Sequence, residues 1–222
     1  MRINKYLAHH NGISRRQADD LVEQCKVTVN GAVAQHGTPV NDGDKVKSEG
    51  QLSNPKRNYT YIAFNKPVGY VCSRKEQDEA PTIYSLLALD HQALKTVGRL
   101  DKESSGLILL TDDGDFAQTM THPKYVKEKI YNATLDKPLS QENIDQLNSG
   151  IELKDGLSVL KTSKLPDEKG YELVMHEGRN RQIRRTFGEL GLTVTNLERV
   201  QFGPYKLMDL ETGKWQATNK LA

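Results

Sequence analysis

The sequence has few cysteines and no long apolar segment. Its 222 residues include only two cysteines, Cys25 and Cys72, which lie far apart and form no CxxC pair. A disulfide framework and a structural zinc site are therefore not expected. No apolar run approaches the roughly 18 residues that cross a bilayer, and the first residues lack the apolar core of a secretory signal. We expect a cytoplasmic protein that does not enter a membrane.

The sequence also lacks a glycine-rich nucleotide-binding motif, a lysine motif for pyridoxal phosphate and a cluster of metal ligands, so neither a metal nor a cofactor is expected. Apolar residues make up 36% and charged residues 27% of the chain. That is polar, with a mean hydropathy of -0.66, but it still allows a core and argues against disorder. The net charge of +2 identifies no partner, whereas four arginines among the seven residues 179–185 are compatible with nucleic-acid binding.

The first fifty residues have the pattern of two helices and a hairpin. One helical face is predicted for Ile3, Tyr6, Leu7 and His10. An S-x-x-Q capping box at Ser14 opens a second helix, whose apolar stripe comprises Ala18, Leu21, Val22 and Cys25. Asn30-Gly31 lies between two β-prone stretches, which predicts a type I′ hairpin. Fifty residues are close to the lower size limit for an independent core, so we expect a small binding module.

Residues 51–58 are polar, contain a proline and have no apolar period, which predicts a linker. Beyond it, strand and helix patterns alternate without a strict βαβ rhythm, so an α+β domain is expected. The predicted strands are YTYIAF, GYVCS, GLILLT (106–111), KIYNATL (129–135), YELVMH (171–176) and TVTNLERV. The predicted helices are APTIYSLLA from about Pro81, a segment from Ser140 to Gly150, and RNRQIRRTFGELG with an apolar face of Ile183, Phe187 and Leu190.

The densest segment for chemistry is VGRLDKESSGLILLTDDGD, residues 97–115. Asp101 lies in its polar loop just before an apolar strand, and a loop that a rigid strand holds suits a catalytic group. Gly98 and Gly106 bracket this loop and allow close backbone approach. A structural interpretation is also open, in which Asp101 only closes a turn or pairs with Arg99.

Several segments in order resemble the bacterial RsuA/RluB-type rRNA pseudouridine synthases. GRLDKESSGLILLT is similar to the active-site motif of that family, FNKPVGYVCS to its first catalytic-domain motif and EKIYNATL to its tyrosine motif. HEGRNRQIRRTFGELGLTVTNLERV resembles the arginine motif and the strand after it. The segments MRINKYLA and SRRQADDLVEQCKVTVNG resemble the S4 RNA-binding module. The chain departs from the family at Thr186, where methionine is usual.

The resemblance implies an α+β protein with an S4 module at residues 1–50, a linker at 51–58 and a catalytic domain at 59–222. That domain would have a mainly antiparallel mixed sheet flanked by helices, with an RNA-binding cleft across its middle. The implied activity is an isomerase that converts a specific uridine of rRNA to pseudouridine without a cofactor. Its partner would be rRNA or an assembling ribosomal subunit, and a monomer is expected.

The resemblance also assigns catalytic roles to Asp101, Tyr131 and Arg184. Asp101 would act as an ionised carboxylate at the junction of base and ribose, by attacking C1′, adding to C6 or removing the 2′ proton. Because burial disfavours a charged carboxylate, Arg184 would hold it bidentately. Tyr131 would stack on the extruded uracil. Alternative interpretations are an exposed helical charge for Arg184, with Arg181 and Arg185 as rivals, and a half-buried strand tyrosine for Tyr131.

Backbone contacts must offset the cost of extruding a nucleotide. Candidates for RNA binding near the site are Lys66, Arg99, Lys102, Arg179, Arg181 and Arg185. A basic stretch of Lys124, Lys127 and Lys129 is a weaker candidate. In the first module the candidates are Arg2, Lys5, Ser14, Arg15, Arg16 and Lys26. Seven basic against six acidic residues in positions 1–50 predict a weak tether rather than a strong binder.

Two other classes of function remain open. A non-catalytic RNA-binding protein or ribosome-assembly factor would use the same basic surfaces without turnover. A glycoside-cleaving enzyme also acts at C1′, but that chemistry usually needs two carboxylates, and Glu103 beside Asp101 is a poor second. The sequence does not identify the target uridine, the ribosomal subunit or the first covalent step.

Overall fold

The computed structural model describes residues 1–53, 58–75, 77 and 79–221. The chain forms two compact units. The first comprises Met1–Tyr59 with Asp112–Gly114, and the second comprises Thr60–Thr111 with the described residues from Asp115 onward.

The first unit begins with two short helices, α1 (Ile3–Asn11) and α2 (Arg15–Glu23). Gly12 ends α1 with φ 71, in the left-handed region where glycine is favoured. The predicted capping box is confirmed: Ser14 Oγ accepts a hydrogen bond from the Gln17 amide at 3.1 Å, and Gln17 Oε1 accepts one from the Ser14 amide at 2.8 Å. The cap therefore fixes where α2 starts.

A four-stranded antiparallel sheet completes this unit, in the order β2-β1-β3-β4 within the described residues. Its strands are β1 (Val27–Val29), β2 (Ala32–Val33), β3 (Val46–Ser48) and β4 (Gln51–Leu52). Asn30 and Gly31 have φ 52 and 88, so the predicted type I′ hairpin is confirmed. Strand β4 takes up the first two positions of the predicted linker, and residues 54–57 lie outside the described residues.

The core of the first unit is small. It comprises Ile3, Leu7, Ala18, Val22, Val27, Ala34, Val40 and Val46. The predicted stripe on α2 is confirmed for Ala18 and Val22, and Leu21 packs partly against it. Cys25 is an exception, because α2 has already ended and Cys25 is exposed with φ 54.

The second unit is built on a mixed sheet. In the described chain its order is β11-β12-β8-β13-β7-β5-β15, with β14 paired to β13 and β6 to β7. Strands β13 and β7 run parallel, and all other paired strands of this sheet in the described chain run antiparallel. A separate hairpin pairs β9 with β10. The strands are β5 (Tyr61–Lys66), β6 (Lys95–Val97), β7 (Ser105–Thr111), β8 (Lys129–Leu135), β9 (Ile151–Leu153), β10 (Gly156–Ser158), β11 (Lys161–Lys164), β12 (Gly170–Met175), β13 (Val194–Phe202), β14 (Tyr205–Lys206) and β15 (Trp215–Ala217).

Helices cover both faces of this sheet. Because both faces are covered, β7 is apolar at successive positions. Its side chains alternate between two cores: Ile108 and Leu110 pack in one, and Leu107 and Leu109 in the other. The first core also receives α4 (Gln141–Ser149) and α5 (Gln182–Glu189), and the second receives α3 (Gly114–Thr121). The predicted α+β class, with a mainly antiparallel mixed sheet flanked by helices, is confirmed.

Two predicted elements are wrong. The segment GYVCS is a loop with one isolated bridge, from Val71 to Thr82, instead of a strand. The predicted helix APTIYSLLA is reduced to a 3-10 helix, Ile83–Leu86. The two segments constrain each other, because the Val71 amide donates to the Pro81 carbonyl at 2.9 Å and the Ile83 amide donates to the Val71 carbonyl at 3.0 Å.

The arginine-rich helix starts later than predicted. Arg181 is its N-cap, with φ 47, and α5 begins at Gln182. The predicted apolar face is confirmed, since Ile183 and Phe187 are buried and Leu190 packs partly against the core. Separately, among the described residues no helix combines the length and apolar character that a membrane span requires.

Candidate active site

The three predicted catalytic residues line one cleft in the second unit. The cleft has a volume of about 770 Å³ and lies over the central strands β8 and β13. Asp101 enters it from the loop between β6 and β7, Tyr131 from β8 and Arg184 from α5. Residues that are far apart in the sequence thus meet at one concave surface.

Backbone contacts hold the Asp101 loop from several sides. The Ser104 amide donates to the Asp101 carbonyl at 3.1 Å, which closes a tight turn. The Gly69 amide donates to the Lys102 carbonyl at 2.8 Å, so the NKPVG loop braces the same turn. The Asp101 side chain is half-buried and lines the cleft.

Lys66 lies beneath this loop. Its side chain is fully buried, and its Nζ donates to the carbonyls of Ser104 at 2.6 Å and Pro67 at 3.0 Å. Burial lowers the pKa of Lys66 from 10.5 to about 8, although the nearby Cys72 and Asp101 oppose the shift. The Lys66 ammonium is thus engaged within the protein, and its contact with RNA stays a prediction. Its hydrogen bonds support the loop that carries Asp101.

Gly106 allows β7 and β13 to approach closely. It has φ 101 and lies opposite Arg199 in the parallel register. A Cβ at this position would lie 2.3 Å from the Arg199 carbonyl oxygen and 2.6 Å from its amide nitrogen. The predicted need for glycine at Gly106 is confirmed, and it brings the strand after Asp101 against the strand beside Tyr131.

Tyr131 is part core residue and part cleft residue. On β8 it pairs with Leu173 of β12 and Arg199 of β13. Its side chain is 8% exposed and belongs to the core formed with α5. No hydrogen bond joins its hydroxyl to another described residue, although the residue lines the cleft. The position suits a ring that is fixed by packing and presented to a ligand.

Arg184 does not make the expected bidentate contact. Its guanidinium donates to the carbonyls of Val194 at 2.7 Å and Glu103 at 2.9 Å, and no ion pair within 4.0 Å joins it to Asp101 in the described chain. Burial lowers the pKa of Arg184, while the charges of Glu103 and Asp101 raise it. Arg184 thus braces the Asp101 loop through the Glu103 backbone and acts on the Asp101 carboxylate through space.

Arg181 pairs with a carboxylate that sequence reasoning placed in a minor role. Its Nη1 donates to Glu103 Oε2 at 2.6 Å. This hydrogen bond holds the pKa of Glu103 below its usual value of 4.5. Arg181 is still 44% exposed along its side chain and lines the cleft, so it stays a predicted RNA contact.

The two remaining arginines of this segment are held by the turn between β9 and β10. Arg179 donates to the carbonyls of Asp155, Gly156 and Leu157 at 2.7 to 2.8 Å. Arg185 binds both Asp155 carboxylate oxygens, at 2.9 and 2.8 Å. The hydrogen bond from Arg185 is the main cause of the lowered pKa of Asp155. The guanidinium groups of Arg179 and Arg185 are engaged within the protein, and their contact with RNA stays a prediction.

Arg99 and Lys102 fit the RNA-binding prediction better. Both are exposed, and neither forms an ion pair with another described residue. Arg99 lines the cleft beside Asp101. Their role stays a prediction.

The candidates in the first unit differ in how available they are. Arg15 and Arg16 are exposed at the start of α2 and form no ion pair in the described part of the chain. Lys26 Nζ lies 3.4 Å from Glu49 Oε1. The hydroxyl oxygen of Ser14 accepts the capping hydrogen bond of α2 from the Gln17 amide. Arg2 is the exposed N-cap of α1, and Lys5 is half-buried on that helix.

Sequence reasoning missed Arg199 and gave Lys129 only a minor place. Both line the cleft, and Arg199 is only 2% exposed. The signal that identifies Arg199 is its position inside TVTNLERV, where an arginine interrupts a buried strand. Phe202, at the end of the same strand, lies under both cations. The structure also brings no group of three or more His, Cys, Asp or Glu residues into metal-binding range among the described residues.

Comparisons with known proteins agree with this geometry. The family profile "RNA pseudouridylate synthase" matches residues 60–189, and the profile "S4 domain" matches residues 1–46. A solved structure described as a pseudouridylate synthase is 32% identical, with a TM-score of 0.70, and the match covers 99% of this chain and 96% of that one.

Curated relatives are similar over nearly the whole chain. An uncharacterised RNA pseudouridine synthase of Aquifex aeolicus is 35% identical, over 99% of this chain and 91% of its own length. Ribosomal large subunit pseudouridine synthase B of Bacillus subtilis is 34% identical, over 96% and 89%. Ribosomal small subunit pseudouridine synthase A of Pasteurella multocida is 35% identical, over 98% and 95%.

Fold and cleft define an α+β enzyme with a separate N-terminal module. This chain belongs to the RNA pseudouridylate synthase family, and its N-terminal unit carries an S4 domain. The predicted family, the predicted enzyme class and the predicted S4 module are confirmed.

Proposed function

We propose that this enzyme converts a specific uridine of rRNA to pseudouridine. The observation that carries the proposal is the convergence of Asp101, Tyr131 and Arg184 on one cleft in a member of the family. Relatives named for the large and the small ribosomal subunit support rRNA as the substrate class. An rRNA substrate favours a cytoplasmic enzyme that acts on rRNA or on an assembling subunit. We also propose that the enzyme is a monomer and that the boundary between its S4 module and its catalytic domain lies in residues 51–58.

Asp101 carries the chemistry in this proposal. Breaking the bond between N1 and C1′ requires an anionic group at the junction of base and ribose. The carboxylate can attack C1′, add to C6 of uracil or remove the 2′ proton, and in each route C5 finally bonds to C1′. No group is imported and no electrons are exchanged with another molecule. The turn that Lys66 and Ser104 hold would fix this carboxylate before the substrate arrives.

Tyr131 and Arg184 position the reacting groups. The Tyr131 ring is fixed by packing in β8, so it can stack on a uracil that has left its helix. Its hydroxyl has no partner among the described residues and is available to handle the C5 proton. Arg184 holds the Asp101 loop and keeps a positive charge near the carboxylate in the free enzyme. A direct contact with Asp101 would form only when the substrate excludes water from the cleft.

Extruding a uridine costs a few kcal/mol, least in a loop or bulge. Contacts from Arg99, Lys102 and Arg181 to the RNA backbone would offset this cost near the target. The S4 module would add a second contact that raises the local concentration of RNA. Mapping pseudouridine across both large rRNAs in cells with and without the gene identifies the target uridine.

The central test is Asp101→Asn. The amide keeps the shape of the side chain but removes its charge, so release of tritium from 5-tritiated uridine in rRNA should fall to background while RNA binding is nearly unchanged. Asp209→Asn, at an exposed position outside the cleft, is the matched control and should retain full release. Release by Asp101→Asn at the wild-type rate would remove Asp101 from the mechanism. Absence of release by the wild type would favour a non-catalytic RNA-binding protein.

A glycoside-cleaving activity is poorly supported. It usually needs two carboxylates, one of which is protonated and acts as an acid. Glu103 is the nearest second carboxylate in sequence, and its hydrogen bond with Arg181 holds its pKa below the usual value. A carboxylate in that state is a weak proton donor.

A further inference from the structure

Arg199 is a buried cation that lines the cleft without a counter-ion among the described residues. Its Nε donates to the Leu107 carbonyl at 2.8 Å. One terminal nitrogen, Nη2, is buried and has no hydrogen-bond partner among the residues that the structure describes. No carboxylate in the described part of the chain forms an ion pair with this guanidinium. The side chain as a whole is 2% exposed.

Such a charge is costly for the free protein. A guanidinium does not lose its proton at any ordinary pH, so burial cannot be relieved by neutralisation. Buried charges are normally paired or fully hydrogen-bonded. A buried arginine with an unpartnered nitrogen at the wall of a cleft therefore points to an anion that arrives with a ligand.

A second cation lies close to Arg199. The Arg199 guanidinium carbon lies 4.8 Å from the centre of the Phe202 ring, and Lys129 Nζ lies 5.6 Å from the same ring. All three residues line the cleft. Burial, and then the charge of Arg199, lower the pKa of Lys129. The two cations thus repel each other across one aromatic ring.

The Glu177 carboxylate, whose charge acts on Lys129, is already engaged. Lys129 Nζ donates to the backbone carbonyl of Glu177 at 3.1 Å. The Glu177 carboxylate pairs instead with Arg179 at 3.0 Å and accepts a hydrogen bond from Gln182. No carboxylate among the described residues forms an ion pair with Lys129 or Arg199, so the positive charge of this pair is unpaired there.

Different charges act on Arg184 and on Lys129. The charges that shift the pKa of Arg184 belong to Arg181, Glu103 and Asp101. The charges that shift the pKa of Lys129 belong to Arg199 and Glu177. The carboxylates that act on Arg184 are thus Glu103 and Asp101, whereas the one that acts on Lys129 is Glu177.

We propose that Lys129 and Arg199, over the Phe202 ring, form an anion site in the cleft that binds a backbone phosphate of the RNA substrate. The assignment to RNA rests on the proposed function, because a cleft that admits RNA receives phosphate as its anion. The guanidinium offers directional donors and the ammonium a point charge. This site would bind the RNA strand through a phosphate, away from the base that reacts.

The first test does not depend on RNA. Unfolding midpoints are measured in sodium phosphate and in sodium chloride at equal ionic strength, because a ligand that binds only the folded state stabilises it. Phosphate should raise the midpoint of the wild type. Lys129→Gln and Arg199→Met should lose most of that rise, while the control Lys206→Gln, at an exposed position outside the cleft, should retain it. Should Arg199→Met fail to fold, Lys129→Gln carries the comparison. An equal rise in all variants, or none in the wild type, overturns the site.

The second test asks whether the anion belongs to RNA. Binding to transcripts of the small- and large-subunit rRNA is measured over a range of KCl concentrations. Lys129→Gln should reduce the slope of log K against log salt by about 0.7 to 0.9, the loss of one phosphate contact, and Lys206→Gln should not. An unchanged slope together with a lost phosphate response would mean that the site takes a free anion. Wild-type enzyme that releases no tritium from rRNA would overturn the proposed function and leave the phosphate test to judge the site alone.

Discussion

Lys66 illustrates how a buried charged residue can hold a loop of the cleft in place. Its ammonium is fully buried and donates to the carbonyls of Ser104 and Pro67. Those carbonyls belong to the two loops that meet beneath Asp101. Buried carbonyl groups need donors, and a lysine has three to offer. The position of the Asp101 carboxylate therefore depends on a cation on the opposite side of its loop.

The depressed pKa of Lys66 has a measurable consequence for stability. It is about 8 in the folded protein and 10.5 when unperturbed. Between these values the unfolded chain binds more protons than the folded one, so the contribution of Lys66 to the unfolding free energy rises with pH. Lys66→Met removes this contribution. The difference in unfolding free energy, wild type minus variant, should therefore increase from about pH 8 to about pH 10.5 in denaturant titrations.

A matched control isolates this effect from other groups that titrate at high pH. Lys154→Met changes an exposed lysine and should give a difference from wild type that is flat over the same window. If the Lys66→Met difference is also flat, the ammonium is not desolvated in the folded state.

At the scale of elements, the turn between β9 and β10 is tied to α5. Asp155 lies in this turn and binds Arg185 of α5 through both carboxylate oxygens. It also contacts Arg179, which precedes the helix, at 3.0 Å. A second link is a buried hydrogen bond of 2.8 Å between Ser158 Oγ of β10 and Thr186 Oγ1 of α5. Thr186, where the resembled family usually has methionine, thus contributes its hydroxyl to this link.

Asp155→Asn should weaken this connection in a pH-dependent way. Arg185 holds the pKa of Asp155 below its usual 3.8, so the stabilising effect is present at neutral pH and disappears as pH falls through the lowered pKa. The wild type should be slightly more stable than Asp155→Asn at neutral pH, and the two should converge in acid. Urea titrations measure the difference. Asp209→Asn should match the wild type throughout, and a gap that persists in acid would mean that charge is not its cause.

Local patterns predicted most of these elements. The capping box at Ser14, the helix start at Ser140, the Asn30-Gly31 turn and the strand pattern KIYNATL are local signals, and each of these elements forms where predicted. The wrong predictions concern segments whose conformation depends on contacts with residues far away in the sequence. GYVCS has β-forming residues. However, the Val71 backbone hydrogen-bonds to Pro81 and Ile83, and the Cys72 thiol hydrogen-bonds to the backbone of Leu100. No local pattern reports such partners.

The same distinction holds at the site. The family motifs identified three residues of the cleft, Asp101, Tyr131 and Arg184, because each motif carries its own local signature. The partners of the basic residues were not predictable in this way. Lys66 meets Ser104, and Arg199 meets Leu107, only because the sheet register aligns them. Which cation is buried and which is free depends on that register.

At the scale of the whole molecule, the chain divides into a catalytic unit and an S4 unit of nearly neutral charge. Net charge therefore does not explain RNA binding, and individual unpaired cations must do so. In the first unit, Arg15 and Arg16 are exposed and form no ion pair among the described residues. Lys26 differs, because Glu49 lies 3.4 Å from its ammonium group.

The paired change Arg15→Gln with Arg16→Gln should weaken RNA binding and reduce the salt slope by about 1.4 to 1.8, as expected for two lost phosphate contacts. The turnover rate at saturating rRNA should be unchanged, because a tether raises local concentration without entering the cleft. Lys26→Gln should have a smaller effect, since Glu49 already offsets its charge. Filter binding over a KCl series and tritium release at saturation separate these effects. A lower turnover rate at saturation would show that the S4 unit takes part in the catalytic step, and an unchanged slope would show that α2 does not face the RNA.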